Sequence, residues 1–358
     1  EYTFWISTEE SIITLALPNS NQARFQLSSS MPPIEIEQTD LLEHFAITRR
    51  QEGGVYLCRD YLSPEFRARQ EQNGNLRGNT SSSAVSSSVS ETSSTAANIS
   101  EVWREMICEW TFQVIDHFDF NREVASVSLN YLDRYIYLST RALNRRAFQL
   151  AAMTSLFLAI KLYEPTTLKM SSFIELSRGE FTMEHITVME NSILWTLSWH
   201  VHPPTPLSFA RNFISLLVKS GCSSAVILEI KEIARFLTEL SVCDYFFTTR
   251  KPSSISFGAL LTAFDSFSVA TLPLRVRHDF FQLVRSVAGI EPSSEEVLEC
   301  KDRLCETYFQ KTDAVHEDRQ PLGIFTSVGR LSPDCVADVV TSDRPRPKST
   351  QRRRNSMY

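Results

Sequence analysis

The chain predicts an all-α protein built from two tandem five-helix units. Apolar residues recur at helical spacing from about Ser100 almost to Lys311. Near the midpoint, the run His202-Pro203-Pro204-Thr205-Pro206 interrupts that period, because proline lacks the amide a helix interior needs. No run of alternating apolar and polar residues competes for a sheet.

Residues 1–40 carry Pro18, Pro32 and Pro33 and show no long period, so they read as poorly ordered. Leu41 to Leu62 can hold one or two short helices, through Leu41, Leu42 and Phe45 and then Tyr56, Leu57, Tyr61 and Leu62. Asn73 to Ser100 is a Ser/Thr-rich insertion with too little apolar surface to offset its ordering entropy. Residues 1–100 are therefore expected to be a largely disordered N-terminal region.

The first unit, 101–201, opens with Ser100 as cap of a helix running to about His117. Asn121 can cap the next, which places Val124, Val127, Tyr131, Tyr135 and Leu138 on one face. Asn144 precedes a third, Leu150 to Ile160, which is apolar on nearly every side and so should be central. Pro165 stops it, a short helix follows Ser171, and a fifth starts near Thr182 with Ile186, Met189, Ile193, Leu194 and Leu197. After the linker 202–206, the second unit, 207–311, holds helices at about 207–219, 224–242, 252–268, 273–288 and 294–310. The tail, 312–358, reads as disordered and basic, with Arg344-Pro345-Arg346-Pro347-Lys348 and Arg352-Arg353-Arg354.

Composition narrows function. Ten glycines in 358 residues are few for an α/β enzyme that cradles phosphates in tight loops. A net charge of -6 argues against a nucleic-acid partner for the whole chain. Seven cysteines form no C-x-x-C pair and no zinc quartet, which fits reduced thiols in an intracellular protein. No apolar run reaches membrane-spanning length, so no membrane partner is expected. No signal peptide is visible, although a chain that opens at Glu1 gives that little weight. Walker, G-x-G-x-x-G, H-E-x-x-H and G-x-S-x-G motifs are absent. His200 and His202 read as packing or turn residues, Cys108 as an inert helix thiol, and Leu298-x-Cys300-x-Asp302 as core pattern. No cofactor, metal or catalytic residue is expected.

One run stands out. Asn130-Tyr131-Leu132-Asp133-Arg134-Tyr135 places two charges inside an apolar helix, between a helix carrying Arg104 and one ending in Lys161. Buried charges need partners, since an unpaired one costs on the order of several kcal/mol.

With these residues in view, the chain resembles the cyclins over about Trp103 to Lys311. Trp103-Arg104-Glu105-Met106-Ile107-Cys108-Glu109-Trp110 is similar to the opening of the cyclin box. Asn130 to Tyr135, Gln149-Leu150, Leu158-Ala159-Ile160-Lys161 and Met189-Glu190 follow in the family's order. Arg250-Lys251-Pro252-Ser253-Ser254-Ile255 resembles the start of the third helix of the second fold. The Tyr-Leu-Asp-Arg version, and Tyr56 to Leu62 upstream, look closest to D-type cyclins of plants and algae.

The resemblance implies roles. Arg104 and Asp133 would form a structural ion pair within the first of two tandem cyclin folds. Lys161, Leu162 and Glu190 would lie on the surface that binds a cyclin-dependent Ser/Thr kinase. Such a protein is a non-catalytic activator: it holds a kinase helix inward so that its glutamate pairs with the ATP-orienting lysine. Trp103, Ile107, Glu109, Trp110 and Gln149 match a substrate-docking patch for Arg-x-Leu motifs in substrates or inhibitors. Two departures stand against that patch: Trp103 replaces the usual Met, and Gln113 stands where many cyclins carry an acid. Without the family, Lys161 is a favourable cation at a helix C-terminus and Glu190 a solvated helix charge. Arg24-x-x-Leu27 resembles a minimal destruction box, and Ser63-Pro64, Ser332-Pro333 and Arg353-Arg354-Asn355-Ser356 are candidate phosphorylation sites. The Arg-rich tail matches a nuclear-import signal, hence residence in nucleus and cytoplasm. Competing readings are a cyclin-fold scaffold that binds no kinase, and a transcription-factor-IIB-like DNA-binding protein of the same duplicated helical fold.

Overall fold

The computed structural model describes residues 38–70, 99–139, 143–166 and 168–313, together with one short strand pair. In that pair, β1 (Ile6–Thr8) runs antiparallel to β2 (Ser11–Ile13), a feature too brief for the sequence pattern to show. The serine-rich insertion, the basic tail and the motifs at Arg24 and Ser332 lie outside the described residues.

The remainder is helical. Helix α1 spans Gln38–Glu52, and residues 64–70 belong to α2. The first fold comprises α3 (Glu101–His117), α4 (Glu123–Leu138), α5 (Arg145–Tyr163), α6 (Met170–Glu175) and α7 (Met183–Thr196). The second comprises α8 (Pro206–Lys219), α9 (Ser224–Cys243), α10 (Pro252–Asp265), α11 (Leu274–Ala288) and α12 (Glu295–Asp313). A 3-10 turn, Tyr245–Thr249, joins α9 to α10.

Short polar side chains set the starts of these helices. Ser100 accepts the Trp103 amide at 3.4 Å, and Asn144 accepts the Ala147 amide at 2.8 Å. Thr182 and His185 cap reciprocally, as do Thr205 and Ser208. Pro206 is not linker but the first residue of α8, where its missing amide costs nothing. Asn121 is not the cap of α4: that position is Arg122, while Asn121 Oδ1 accepts the Glu123 amide. α10 ends at Asp265, three residues before the expected end.

Helix α5 is the centre of the first core, buried from Ala151 to Ile160 among α3, α4 and α7. In the second core Phe209, Phe213, Phe257, Phe264 and Phe280 pack together. There α10 crosses α12 so closely that a Cβ on Gly258 would meet the Lys301 amide nitrogen at 2.9 Å.

The N-terminal region differs most from expectation. α1 is the short helix expected around Leu41, Leu42 and Phe45, but it is docked: Leu41 and Phe45 are buried in the second core, with the Phe45 ring 5.3 Å from Phe213. The Glu52 carboxylate accepts the Ser253 amide and hydroxyl at 2.9 and 2.7 Å. A few residues later, Tyr61 and Phe66 enter the first core. This segment thus straps the two folds together, and its docking surface lies far away in sequence.

Direct contacts join the folds as well. Arg122 pairs with Glu239, and Glu123 takes both Arg211 and the Thr205 hydroxyl. Cys108 Sγ lies 3.1 Å from Cys243 Sγ.

Candidate functional site

Two charge pairs organise the first fold. The inner one joins α3 to α4: Arg104 Nε and Nη2 donate to Asp133 Oδ1 and Oδ2 at 3.0 and 2.9 Å. Both side chains are almost wholly buried. Burial alone disfavours the Arg104 cation, yet the Asp133 carboxylate more than compensates and lifts its pKa above the ordinary value. Two further partners were not legible in the sequence. The Tyr61 hydroxyl donates to Asp133 Oδ1 at 2.8 Å, and Arg104 Nη1 donates to the Val242 carbonyl at 2.8 Å. The pair therefore ties together the N-terminal strap, the first fold and α9 of the second.

Arg134 turns the other way. It donates to the His200 carbonyl at 2.9 Å and lies 5.0 Å from the Tyr56 ring centre. Burial lowers its pKa.

The outer pair joins α5 to α7 at the surface. Lys161 Nζ reaches Glu190 Oε1 at 2.6 Å, with the lysine side chain 45% exposed and the glutamate 13%. Leu162 and Tyr163 beside it are exposed apolar side chains. The Tyr163 hydroxyl bonds the Val201 carbonyl at 3.4 Å, and its ring lies 5.6 Å from His202. The end of α5 thus abuts the chain just after Trp199.

That neighbourhood holds two residues that sequence reasoning missed. Trp195 and Trp199 are 73% and 58% exposed, with their rings edge-on at 6.3 Å. Ser198 and Trp199 adopt left-handed φ values of 50° and 61°, which residues other than glycine rarely do. The available signal was two tryptophans after Leu194 that the helical period does not bury.

The docking-patch residues are brought together but mostly covered. Trp103, Ile107 and Trp110 share one face of α3, and all three are buried, as is Gln149 from α5. The Arg145 guanidinium sits 4.4 Å from the Trp103 ring centre, and Phe148 packs against the same ring at 5.8 Å. Glu109 is half-buried and accepts from Gln113 at 3.4 Å.

Other chemistry finds little support. Burial pushes the Cys108 thiol well above its ordinary pKa, so it is a poor nucleophile. Among the described residues, no group of three or more His, Cys, Asp and Glu is placed to hold a metal ion. Among the same residues, no helix is long and apolar enough to cross a membrane.

Comparison with known proteins agrees with this architecture. Residues 76–202 match the cyclin N-terminal domain and residues 204–320 the cyclin C-terminal domain. G2/mitotic-specific cyclin S13-6 of Glycine max is 31% identical over 165 residues, covering 46% of this chain and 34% of that protein. Cyclin-A1-4 of Oryza sativa subsp. japonica is 28% identical over 166 residues, or 46% of each chain. G2/mitotic-specific cyclin-B2 of Rana japonica is 26% identical over 226 residues, covering 63% of this chain and 53% of that one. The chain spans about a third to a half of the length of these relatives. Among solved structures, a viral cyclin from herpesvirus saimiri is similar over 59% of this chain and 87% of its own, at 18% identity and a TM-score of 0.47. With both domains matched in tandem across more than half of its length, the chain belongs to the cyclin family.

Proposed function

We propose that this cyclin is the regulatory subunit of a cyclin-dependent Ser/Thr kinase, and that it supplies no catalytic group. The observation that carries the reading is the Lys161–Glu190 pair at the exposed end of α5, with the exposed side chains of Leu162 and Tyr163 next to Lys161 in the chain. An exposed ion pair contributes only about 0–1 kcal/mol to stability, so the fold has little need of it. Apolar and aromatic side chains held in water around such a pair form the composition of a protein interface. Lys161, Leu162 and Glu190 contact the kinase, and binding one conformation of its regulatory helix shifts the kinase toward the active state. ATP and magnesium belong to the kinase.

The test is co-purification of a kinase with wild type and with the swapped variant Lys161→Glu/Glu190→Lys. The swap keeps an intramolecular ion pair while it inverts the charges a partner meets. Loss of the kinase supports the assignment, and undiminished binding removes it.

Substrate recruitment through Trp103, Ile107, Glu109, Trp110 and Gln149 is the finer part of the proposal. An Arg-x-Leu segment reaches that face only when Arg145 leaves the Trp103 ring, so titration of such a peptide against Arg145→Ala is the informative arm. The D-type affinity rests on residues 56–62 and 130–135, whereas the relatives named above carry A-type and G2/mitotic names. The Arg-rich run near residue 350 supports residence in the nucleus as well as the cytoplasm.

A further inference from the structure

Away from the kinase-facing surface, two arginines converge on one tyrosine. Tyr137 lies in the last turn of α4, and its ring stacks on Phe66 of α2 at 5.4 Å with an interplanar angle of 22°. The Arg69 guanidinium is 5.3 Å from the Tyr137 ring centre and 5.4 Å from that of Phe66, and Arg59 is 5.8 Å from Tyr137. Arg69 Nη2 donates to the Tyr137 hydroxyl at 3.4 Å. Hydrogen bonding from Arg69, with Arg59 beside it, holds that hydroxyl below its ordinary pKa.

Both arginines are exposed, and among the described residues neither has an ion pair with a carboxylate. Glu71 lies outside the described residues, and the nearest described acids in sequence, Asp60 and Glu65, do not neutralise them. Asp60 is engaged by the Tyr245 hydroxyl and the Leu62 amide, and Glu65, one turn before Arg69, makes no ion pair with it. Two guanidiniums with no ion pair among the described residues, and a hydroxyl proton on an aromatic shelf, match the acceptor geometry of a phosphate.

The chain itself carries the matching group. Gln70, whose side chain donates to the Ser139 carbonyl at 3.4 Å, is followed by the Ser/Thr-rich stretch 80–95. Ser88 stands nineteen residues after Arg69 and has Glu91 three residues on, a setting for an acid-directed Ser/Thr kinase. A tether of this length holds a docking group at an effective concentration of order ~1 mM.

We propose that Arg59, Arg69 and Tyr137 form a receptor for a phosphoserine of this chain's own serine-rich segment, with Ser88 as the leading donor. The phosphoryl group comes from ATP onto Ser88 Oγ; ADP leaves and the hydroxyl proton passes to solvent. The dianion then takes charge-assisted hydrogen bonds from both guanidiniums.

The experiment is limited trypsin digestion of the full chain, with Ser or phosphoserine at position 88, following cleavage after Arg69. Phosphoserine slows that cleavage by about fivefold, and Arg59→Ala or Tyr137→Phe restores the rate. Equal rates with Ser and phosphoserine overturn the proposal, as does protection that survives both substitutions. Equal protection of the unphosphorylated chain by millimolar inorganic phosphate would mark a general anion site and overturn the assigned occupant.

Discussion

Replacing Asp133 with alanine is the sharpest perturbation of the fold. It removes the carboxylate that pairs with Arg104, whose side chain is 4% exposed. The guanidinium keeps the Val242 carbonyl but loses two strong bonds, and the Tyr61 hydroxyl loses its acceptor. Breaking one side of a buried pair costs about 3–5 kcal/mol, because the surviving charge stays desolvated. For folds of this size that corresponds to a fall in Tm of roughly 6–20 °C. The measurement is thermal and urea unfolding of wild type, Asp133→Ala and the double variant Arg104→Met/Asp133→Leu. The double variant should lose less than Asp133→Ala alone, since no charge is left stranded. A loss below about 1 kcal/mol for Asp133→Ala would refute the reasoning. So would a double variant at least as unstable as Asp133→Ala.

Three further outcomes follow from the same structure. Phe45→Ala should destabilise by about 3–5 kcal/mol in urea unfolding, although the residue lies outside both tandem folds, because its ring fills the second core. Burial raises the Glu52 carboxyl above its ordinary 4.5, so the folded chain holds a proton that the unfolded chain has released. That group favours folding below about pH 4.5 and disfavours it as the pH climbs through its folded value; the stability of wild type relative to Glu52→Gln should therefore fall with rising pH in that window, as urea titrations at several pH values would show. Trp195→Ala and Trp199→Ala should each leave the unfolding midpoint within about 0.5 kcal/mol of wild type while reducing kinase capture in a pull-down.

Features that depend on local pattern were legible in the sequence. The caps at Ser100, Asn144 and Thr182 are short polar residues just before an apolar period, and each accepts an amide proton. α5 announced its central place because only Thr154 and Ser155 interrupt the apolar run from Leu150 to Ile160. That the charges in the apolar helix need partners was legible from the residues, and the resemblance to the cyclins named Arg104 as the partner of Asp133. The third partner, Tyr61, could not be inferred, since it lies 72 residues from Asp133 in a stretch without period. α1 was visible as a short helix, but its docking was not: only Leu41 and Phe45 carry its burial, and the groove that receives them is made by Phe209 and Phe213. The α3 face bearing Trp103, Ile107 and Trp110 was visible from spacing. That Arg145 and Phe148 cover it depends on how α5 packs, which spacing along α3 does not encode.

The central claim is that the surface around Lys161 and Glu190 holds a kinase. The direct measurement is capture of a cyclin-dependent kinase, and its activity toward a protein substrate, by wild type and by Lys161→Glu/Glu190→Lys at matched folded concentration. The account predicts that wild type retains an active kinase and that the swapped variant, with an unchanged unfolding midpoint, retains little or none. Equal capture and equal activation by the two proteins would contradict it.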